Sequence, residues 1–236
     1  MERSEVAGWN LRLLGANSQA LTGELGRTQS AKRGGLFLTN NENALKLYQW
    51  LAQRHPMTLY SEPLQIAQIK EWKPDLIISY NYKHIIGEDV IAYMQGRIIN
   101  LHISLLPWNR GSNPNFWSFM EDTPKGVTIH QINAGIDTGK IIFQKECFFD
   151  PQKETFLSTY ETLNREITEL FKEKWQELLT GKFVLAEQNG EGSCHTMKDF
   201  KRIKSEIDFA WSDTIAGVVE RYKEYKERSQ GKEEFV

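Results

Sequence analysis

The residues of this chain best suited to chemistry stand in one short run, Arg97-Ile98-Ile99-Asn100-Leu101-His102-Ile103-Ser104. Read as a strand, the run alternates its side chains between two faces. Ile99, Leu101 and Ile103 share one face, and Ile98, Asn100, His102 and Ser104 share the other. A strand buried on both sides should be apolar on both, so a polar ladder toward its carboxyl end needs a reason. One is a hydrogen-bonded trio inside the core. The other is a ligand site, because open α/β sheets bind ligands in the crevice beyond the carboxyl ends of their strands. Leu105-Leu106-Pro107-Trp108-Asn109-Arg110-Gly111 follows at once, and an aspartate bracketed by glycines, Gly135-Ile136-Asp137-Thr138-Gly139, comes later. Such glycines let the backbone turn tightly and approach a ligand closely, which favours the site over the core trio. Asn100, His102 and Asp137 would together supply a neutral donor, a titratable acid/base and a carboxylate that orients the imidazole or raises its pKa. No Ser or Cys sits in a nucleophile elbow, which argues against a hydrolase triad. The five histidines do not join carboxylates at ligand spacing, so no metal is expected.

Periodicity indicates the elements that must hold these residues. Leu36-Phe37-Leu38 reads as a strand, and Asn40-Asn41 offers an N-cap to a helix marked by Ala44, Leu45, Leu47, Tyr48 and Leu51. A strand at Met57–Tyr60 and a helix through Leu64, Ile66, Ile69 and Trp72 follow. Pro74 ends that helix, and Asp75 to Ser79 reads as a buried strand. A helix from Ile85 to Met94 then leads into the polar-laddered strand. Strands alternating with helices predict βαβ units and a mostly parallel sheet. Beyond Gly111, strands over Val127–Asn133 and Lys140–Phe149 predict an antiparallel addition. Glu154 to Thr180 reads as one long amphipathic helix with Gly181 as its stop, and Asp213 to Lys226 as another helix. Residues 1–34 mix charge, Gly and Ser, and read as a loose extension. The expected division is therefore 1–34 extension, 35–181 catalytic domain and 182–236 a short C-terminal segment for an interface or acceptor contacts.

Composition narrows the classes. The 236 residues are 40% hydrophobic and 25% charged, with no apolar run near the ~20 residues of a membrane span. The formal net charge is −2, whereas a protein that grips nucleic-acid phosphates carries a basic surplus. Cys147 and Cys194 are too few for a disulfide scaffold or a thiolate metal cage and suit a reducing compartment. A cytoplasmic α/β protein with neither membrane nor nucleic acid as partner is expected.

The order of the motifs resembles the catalytic signature of the folate-dependent formyltransferases: Asn-x-His on a strand, then Ser-Leu-Leu-Pro-x-x-Arg-Gly, then an Asp in a Gly-rich loop. Here it stands as Asn100-Leu101-His102, Ser104-Leu105-Leu106-Pro107-Trp108-Asn109-Arg110-Gly111 and Ala134-Gly135-Ile136-Asp137-Thr138-Gly139. The resemblance runs from Gly35 to Gln144. It implies a Rossmann-like, mostly parallel twisted sheet flanked by helices, with an antiparallel addition and a long C-terminal helix. It also implies transfer of a formyl group from N10-formyltetrahydrofolate, the co-substrate, to an amine. Asn100 and protonated His102 would hold the developing oxyanion. Asp137 would orient His102 and help move the amine proton to the departing folate nitrogen. The pterin would be held largely by backbone groups of Tyr80, Asn81, Tyr82 and Lys83 and of Ala134, Gly135 and Ile136, with Ser104, Leu105, Leu106 and Pro107 lining the same pocket. Arg110, Asn113 and Asn115 would lie on the acceptor side, with Arg110 suited to a phosphate.

The acceptor is weighed by departures from each branch. Glycinamide ribonucleotide formyltransferases cradle phosphate in a Gly/Ser-rich turn after the first strand, where this chain has Leu38-Thr39-Asn40-Asn41-Glu42-Asn43. Initiator-tRNA formyltransferases carry a further basic C-terminal domain, for which the segment after Gly181 is too short, and the chain as a whole is net acidic. Formyltetrahydrofolate hydrolases carry an N-terminal regulatory domain, for which residues 1–34 are too few. The remaining resemblance is to sugar N-formyltransferases, supported by Arg110-Gly111-Ser112-Asn113-Pro114-Asn115 and by Gly192-Ser193-Cys194-His195. The expected acceptor is thus a small-molecule amine, a nucleotide-linked amino sugar. Formylation of another amine, a tRNA or a purine precursor, and a non-catalytic folate- or nucleotide-sugar-binding protein stand as alternatives. Apolar residues of the last segment, such as Phe209 and Trp211, could form a homodimer interface.

Overall fold

The computed structural model describes residues 34–233. The expected extension over residues 1–34 therefore lies almost wholly outside the described residues. The chain divides into two units, with the boundary between Asn100 and Leu101.

In the first unit, β1 (Gly35–Leu38) leads through a 3-10 turn (Glu42–Ala44) into α1 (Leu45–Ala52). Asn41 caps that turn, its side-chain oxygen accepting from the Asn43 N–H at 2.9 Å. Then come β2 (Met57–Tyr60), α2 (Ile66–Trp72), β3 (Ile77–Tyr80), α3 (Glu88–Met94) and the start of β4 (Ile98–His102). The strands lie in the order β2-β1-β3-β4. β1 runs parallel to both β2 and β3, with Leu36 opposite Thr58 on one side and Ile77 on the other. All four residues of β1 and all four of β3 are buried, including Phe37, Ile77 and Ile78. Sheets covered on both faces demand this two-sided apolar character. α2 ends where Lys73 turns left-handed at φ 49°, and Pro74 after it disfavours a continued right-handed helix.

The second unit continues from the end of β4 through β5 (Arg110–Gly111), α4 (Pro114–Met120), β6 (Gly126–Gln131) and β7 (Ile141–Glu146). β6 and β7 pair antiparallel, the addition read from the sequence. The long amphipathic helix is present as α5 (Phe156–Glu173), capped by Thr155, whose side chain accepts from the Ser158 N–H. A step at Lys174, whose N–H reaches the carbonyls of both Leu170 and Lys172, separates it from α6 (Trp175–Thr180). The step places Trp175 and Leu178 inside the protein, with Trp175 against Phe171. Gly181, left-handed at φ 69°, ends α6.

A short strand β8 (Cys194–His195) then pairs parallel with β5, and α7 (Met197–Glu206) and α8 (Ile215–Glu233) complete the unit. All seven residues of α4 are buried. Around its Phe116 and Phe119 gather Phe156 of α5, Ile203 of α7, Phe209, and Ile215 and Val218 of α8. Phe209, expected at an exposed interface, is instead 4% exposed and stacks on Phe116, because α7 and α8 enclose the aromatic cluster. Trp211 packs on the rim of the same cluster. Among the described residues no helix is long and apolar enough to cross a membrane.

Candidate active site

β4 carries the polar ladder to its carboxyl end, and there the second unit assembles an acid–base cluster. His102, buried at 7% exposure, has its two ring nitrogens facing two oxygens. Nε2 stands 3.0 Å from the backbone carbonyl of Asn109, and Nδ1 stands 3.6 Å from Oδ2 of Asp137. A carbonyl only accepts, so Nε2 carries a hydrogen and Nδ1 is the nitrogen that gains and loses a proton. The 3.6 Å separation is too long for a hydrogen bond yet close enough for strong attraction between charges in a buried site.

The opposite oxygen of Asp137, Oδ1, lies 3.4 Å from Nε2 of His130, while Nδ1 of His130 donates to the Gln131 carbonyl at 2.8 Å. Asp137 therefore sits between two imidazoles, each with its far nitrogen occupied by a backbone carbonyl. The Gly111 N–H donates to the same carboxylate, 2.9 Å from Oδ2. Burial alone would raise the Asp137 pKa. The His102 charge, the His130 contact and the Gly111 N–H outweigh it and hold the carboxyl well below the usual carboxylate range.

Local sequence explains the placement. Asp137 itself is left-handed at φ 51°, a conformation that costs a residue with a Cβ roughly 1–2 kcal/mol. The neighbouring glycines do not turn the chain there; Gly139 serves close approach instead, since a Cβ on it would come within 1.7 Å of the Gln131 carbonyl oxygen. Asn133 staples the loop from within, its side-chain oxygen accepting from the Gly135 N–H and the Thr138 hydroxyl. The turn after β4 is pinned from β6 and β7. Thr128 donates to the Ser104 carbonyl at 2.7 Å and accepts from the Leu106 N–H, and Gln144 donates to the Leu106 carbonyl at 2.7 Å.

The second unit thus brings together His102, Asp137, the turn Ser104–Pro107 and Arg110, whose Nε donates to Gln188 at 3.0 Å. Asn100, the last residue of the first unit, is half-buried and stands two residues before His102 on β4, hence on the same strand face. Ala134, Gly135 and Ile136 form the exposed rim of the aspartate loop. Asn113, left-handed at φ 55°, begins α4 and reaches Met197 Sδ. Asn115 is buried, its amide donating to the Phe156 carbonyl and its oxygen accepting from Thr159.

In the first unit, Tyr80 is buried at the end of β3, and Asn81, left-handed at φ 54°, opens the following loop. Lys83 donates its backbone N–H to the Asn40 side chain, and the Tyr82 hydroxyl donates to the Glu62 carbonyl. Burial pushes the Tyr82 hydroxyl up to about 12, so it donates as a neutral phenol.

Two features of the site escaped the sequence reading. His130 and Thr128 form a second polar ladder on buried β6, at 1% and 0% exposure, and the same period-two argument applied to β4 would have found them. Gln188 lies in a stretch with no periodic signal, and only its contacts reveal it. Among the described residues, no group of His, Cys, Asp and Glu is arranged to hold a metal.

The formyl transferase family model matches residues 23–174. The chain is 33% identical over 159 residues to the methionyl-tRNA formyltransferase of Nitrosomonas europaea, covering 65% of this chain and 47% of that protein. It is 30% identical over 183 residues to the dTDP-4-amino-4,6-dideoxyglucose formyltransferase of Mycobacterium bovis, covering 72% of this chain and 76% of that protein. The chain thus spans about half of the former relative's length and about three quarters of the latter's. A solved structure of the formyltransferase PseJ from Anoxybacillus kamchatkensis, in complex with UDP-4,6-dideoxy-4-formamido-L-AltNAc and tetrahydrofolate, matches with a TM-score of 0.72 at 37% identity. That match covers 80% of this chain and 98% of the other. With the Asn-x-His strand, the glycine-bracketed aspartate beside its histidine and a family match over most of its length, the chain belongs to the formyl transferase family.

Proposed function

We propose that this chain transfers a formyl group from N10-formyltetrahydrofolate to the amine of a nucleotide-linked amino sugar. The observation that carries the reading is the buried His102–Asp137 pair, on a chain that matches nearly the whole of a formyltransferase crystallised with a formamido-sugar nucleotide and tetrahydrofolate. An uncharged amine attacks the formyl carbon, and its C–N bond forms as the carbonyl oxygen becomes an oxyanion. As the amine attacks, its proton passes to Nδ1 of His102; the Nδ1–H so formed and the Asn100 amide stabilise that oxygen, and Asp137 balances the imidazolium charge. The C–N10 bond then breaks, and the proton lost by the amine passes through the His102–Asp137 pair to the folate nitrogen.

Tyr80, Asn81, Tyr82 and Lys83, with Ser104–Pro107 and Ala134–Ile136, are the proposed folate contacts. Arg110 would meet an acceptor phosphate through guanidinium N–H groups other than the Nε held by Gln188, with Asn113 beside the same acceptor.

The test is tetrahydrofolate release from N10-formyltetrahydrofolate, with and without a pool of nucleotide-linked 4-amino-4,6-dideoxy sugars. Release that depends on the pool is expected. Equal release without amine would replace the reading by a hydrolase. Release driven by methionyl-tRNA alone would move the acceptor to the other branch. Folate binding without turnover on any amine would make the chain a binding protein.

A further inference from the structure

We propose that Gln188 is a positioning residue for catalysis, holding Asp137 in its left-handed backbone state so that the carboxylate stays between His102 and His130; the inference rests on the formyl-transfer reading above. The Gln188 amide donates to two carbonyls of the aspartate loop, those of Asp137 at 2.8 Å and Gly139 at 2.7 Å. Its oxygen accepts from Nε of Arg110 at 3.0 Å. The next residue, Gly111, donates its N–H to the Asp137 carboxylate at 2.9 Å. The contacts close a ring. One amide side chain holds the backbone of Asp137 directly and reaches its carboxylate through Arg110 and Gly111.

The stretch around Gln188 is secured on both sides. Ala186 exchanges two backbone hydrogen bonds with Ile141, at 2.8 and 2.9 Å. Farther on, the Ser193 carbonyl accepts from the Arg110 N–H, and the Ser193 hydroxyl oxygen accepts from the Asn109 N–H, both at 2.9 Å. Asn109 provides the carbonyl that faces Nε2 of His102. A single strap, residues 186–195, therefore steadies both oxygens between which His102 sits. It lies outside the residues matched by the family model, 23–174, so the alignment of the shared catalytic residues depends on chain beyond the shared module.

Full-length Gln188→Ala and Gln188→Glu proteins test this. Glutamate keeps the length and an oxygen for Arg110 but has no N–H for the two carbonyls. Small misplacements of catalytic groups cost up to about 10²-fold. Both variants should lower kcat roughly 10- to 100-fold, leave KM for folate and acceptor within about 2-fold, and keep the wild-type melting temperature. Hydrogen exchange at the Gly111 amide should accelerate in both, a readout that needs no turnover. Unchanged kcat, or a loss confined to KM, would overturn the proposal. A Gln188→Glu protein as active as wild type would remove the role of the two N–H donors. Unchanged Gly111 exchange would sink the clamp whatever the activity. Faster Gly111 exchange in a protein whose wild type formylates no amino sugar would refute the substrate reading and support the clamp.

Discussion

At the scale of single residues, the site is a carboxylate with one imidazole on each oxygen. The histidine on the oxyanion side, His102, and its strand neighbour Asn100 are the two proposed donors. Losing one such donor typically costs about 2.7–4 kcal/mol, or 10²–10³ in rate. Asn100→Ala and His102→Ala should each lower kcat by about that factor with circular dichroism unchanged; near-normal turnover in either would remove it from the mechanism. Asp137 predicts a pH effect whose sign follows from its lowered pKa. A carboxylate held ionised in the folded state stabilises the fold above its unfolded pKa of 3.8, and that contribution drains away as pH falls through the folded value. Urea denaturation at descending pH should show the wild type losing stability below about pH 5 more steeply than Asp137→Asn. Parallel curves would mean the carboxylate is not held as described. His102 and Asp137 were legible in the sequence because polar residues in a buried strand and a Gly-flanked Asp are rare locally. His130 was passed over because its ladder partner is a threonine, which blends into a β-branched strand.

At the scale of elements, β1, β2, β3, β4 and β6 lie within a residue or two of their sequence-predicted positions, since period two and β-branched runs mark them strongly, whereas β7 ends at Glu146, three residues before the expected Phe149. α4 was missed for a physical reason: a helix buried all round shows no amphipathic period, and Pro114 at its start resembles a breaker. α7 was missed as well, although Thr196 and Asp199 form a capping box that marks its start. The β5–β8 pairing is too short to leave a pattern. Its geometry rests on Gly111, left-handed at φ 84°, where a Cβ would come within 2.3 Å of the His195 carbonyl oxygen. Gly111→Ala should therefore destabilise the protein by more than ~1 kcal/mol and also lower kcat, because the same residue donates to Asp137. Urea midpoints and initial rates read the two effects separately. A variant of normal stability and activity would show that β8 does not press on this glycine.

At the scale of the molecule, the parallel first unit and the antiparallel pair were anticipated, and the packing of the last residues was not. Composition says that aromatics must be buried, but not which ones. Phe209, expected at an interface, is buried by elements distant in sequence. Phe116 touches Phe156, Phe200 and Phe209 and stacks edge-on to Trp117. Phe116→Ala should cost about 3–5 kcal/mol, seen as a lowered calorimetric transition. A loss under ~1 kcal/mol would mean that the cluster repacks freely around the gap.

The Asn109 carbonyl also governs the traffic of hydrogen in the proposed reaction. With Nε2 tied to that oxygen, a proton reaching His102 at Nδ1 has to leave by Nδ1 as well. The ring works as a shuttle with one door, not as a wire through which a proton enters on one side and exits on the other. Amine and folate nitrogen must then take turns at the same edge of the imidazole. A single backbone oxygen, one that never meets the substrate, thereby dictates from which side both must come.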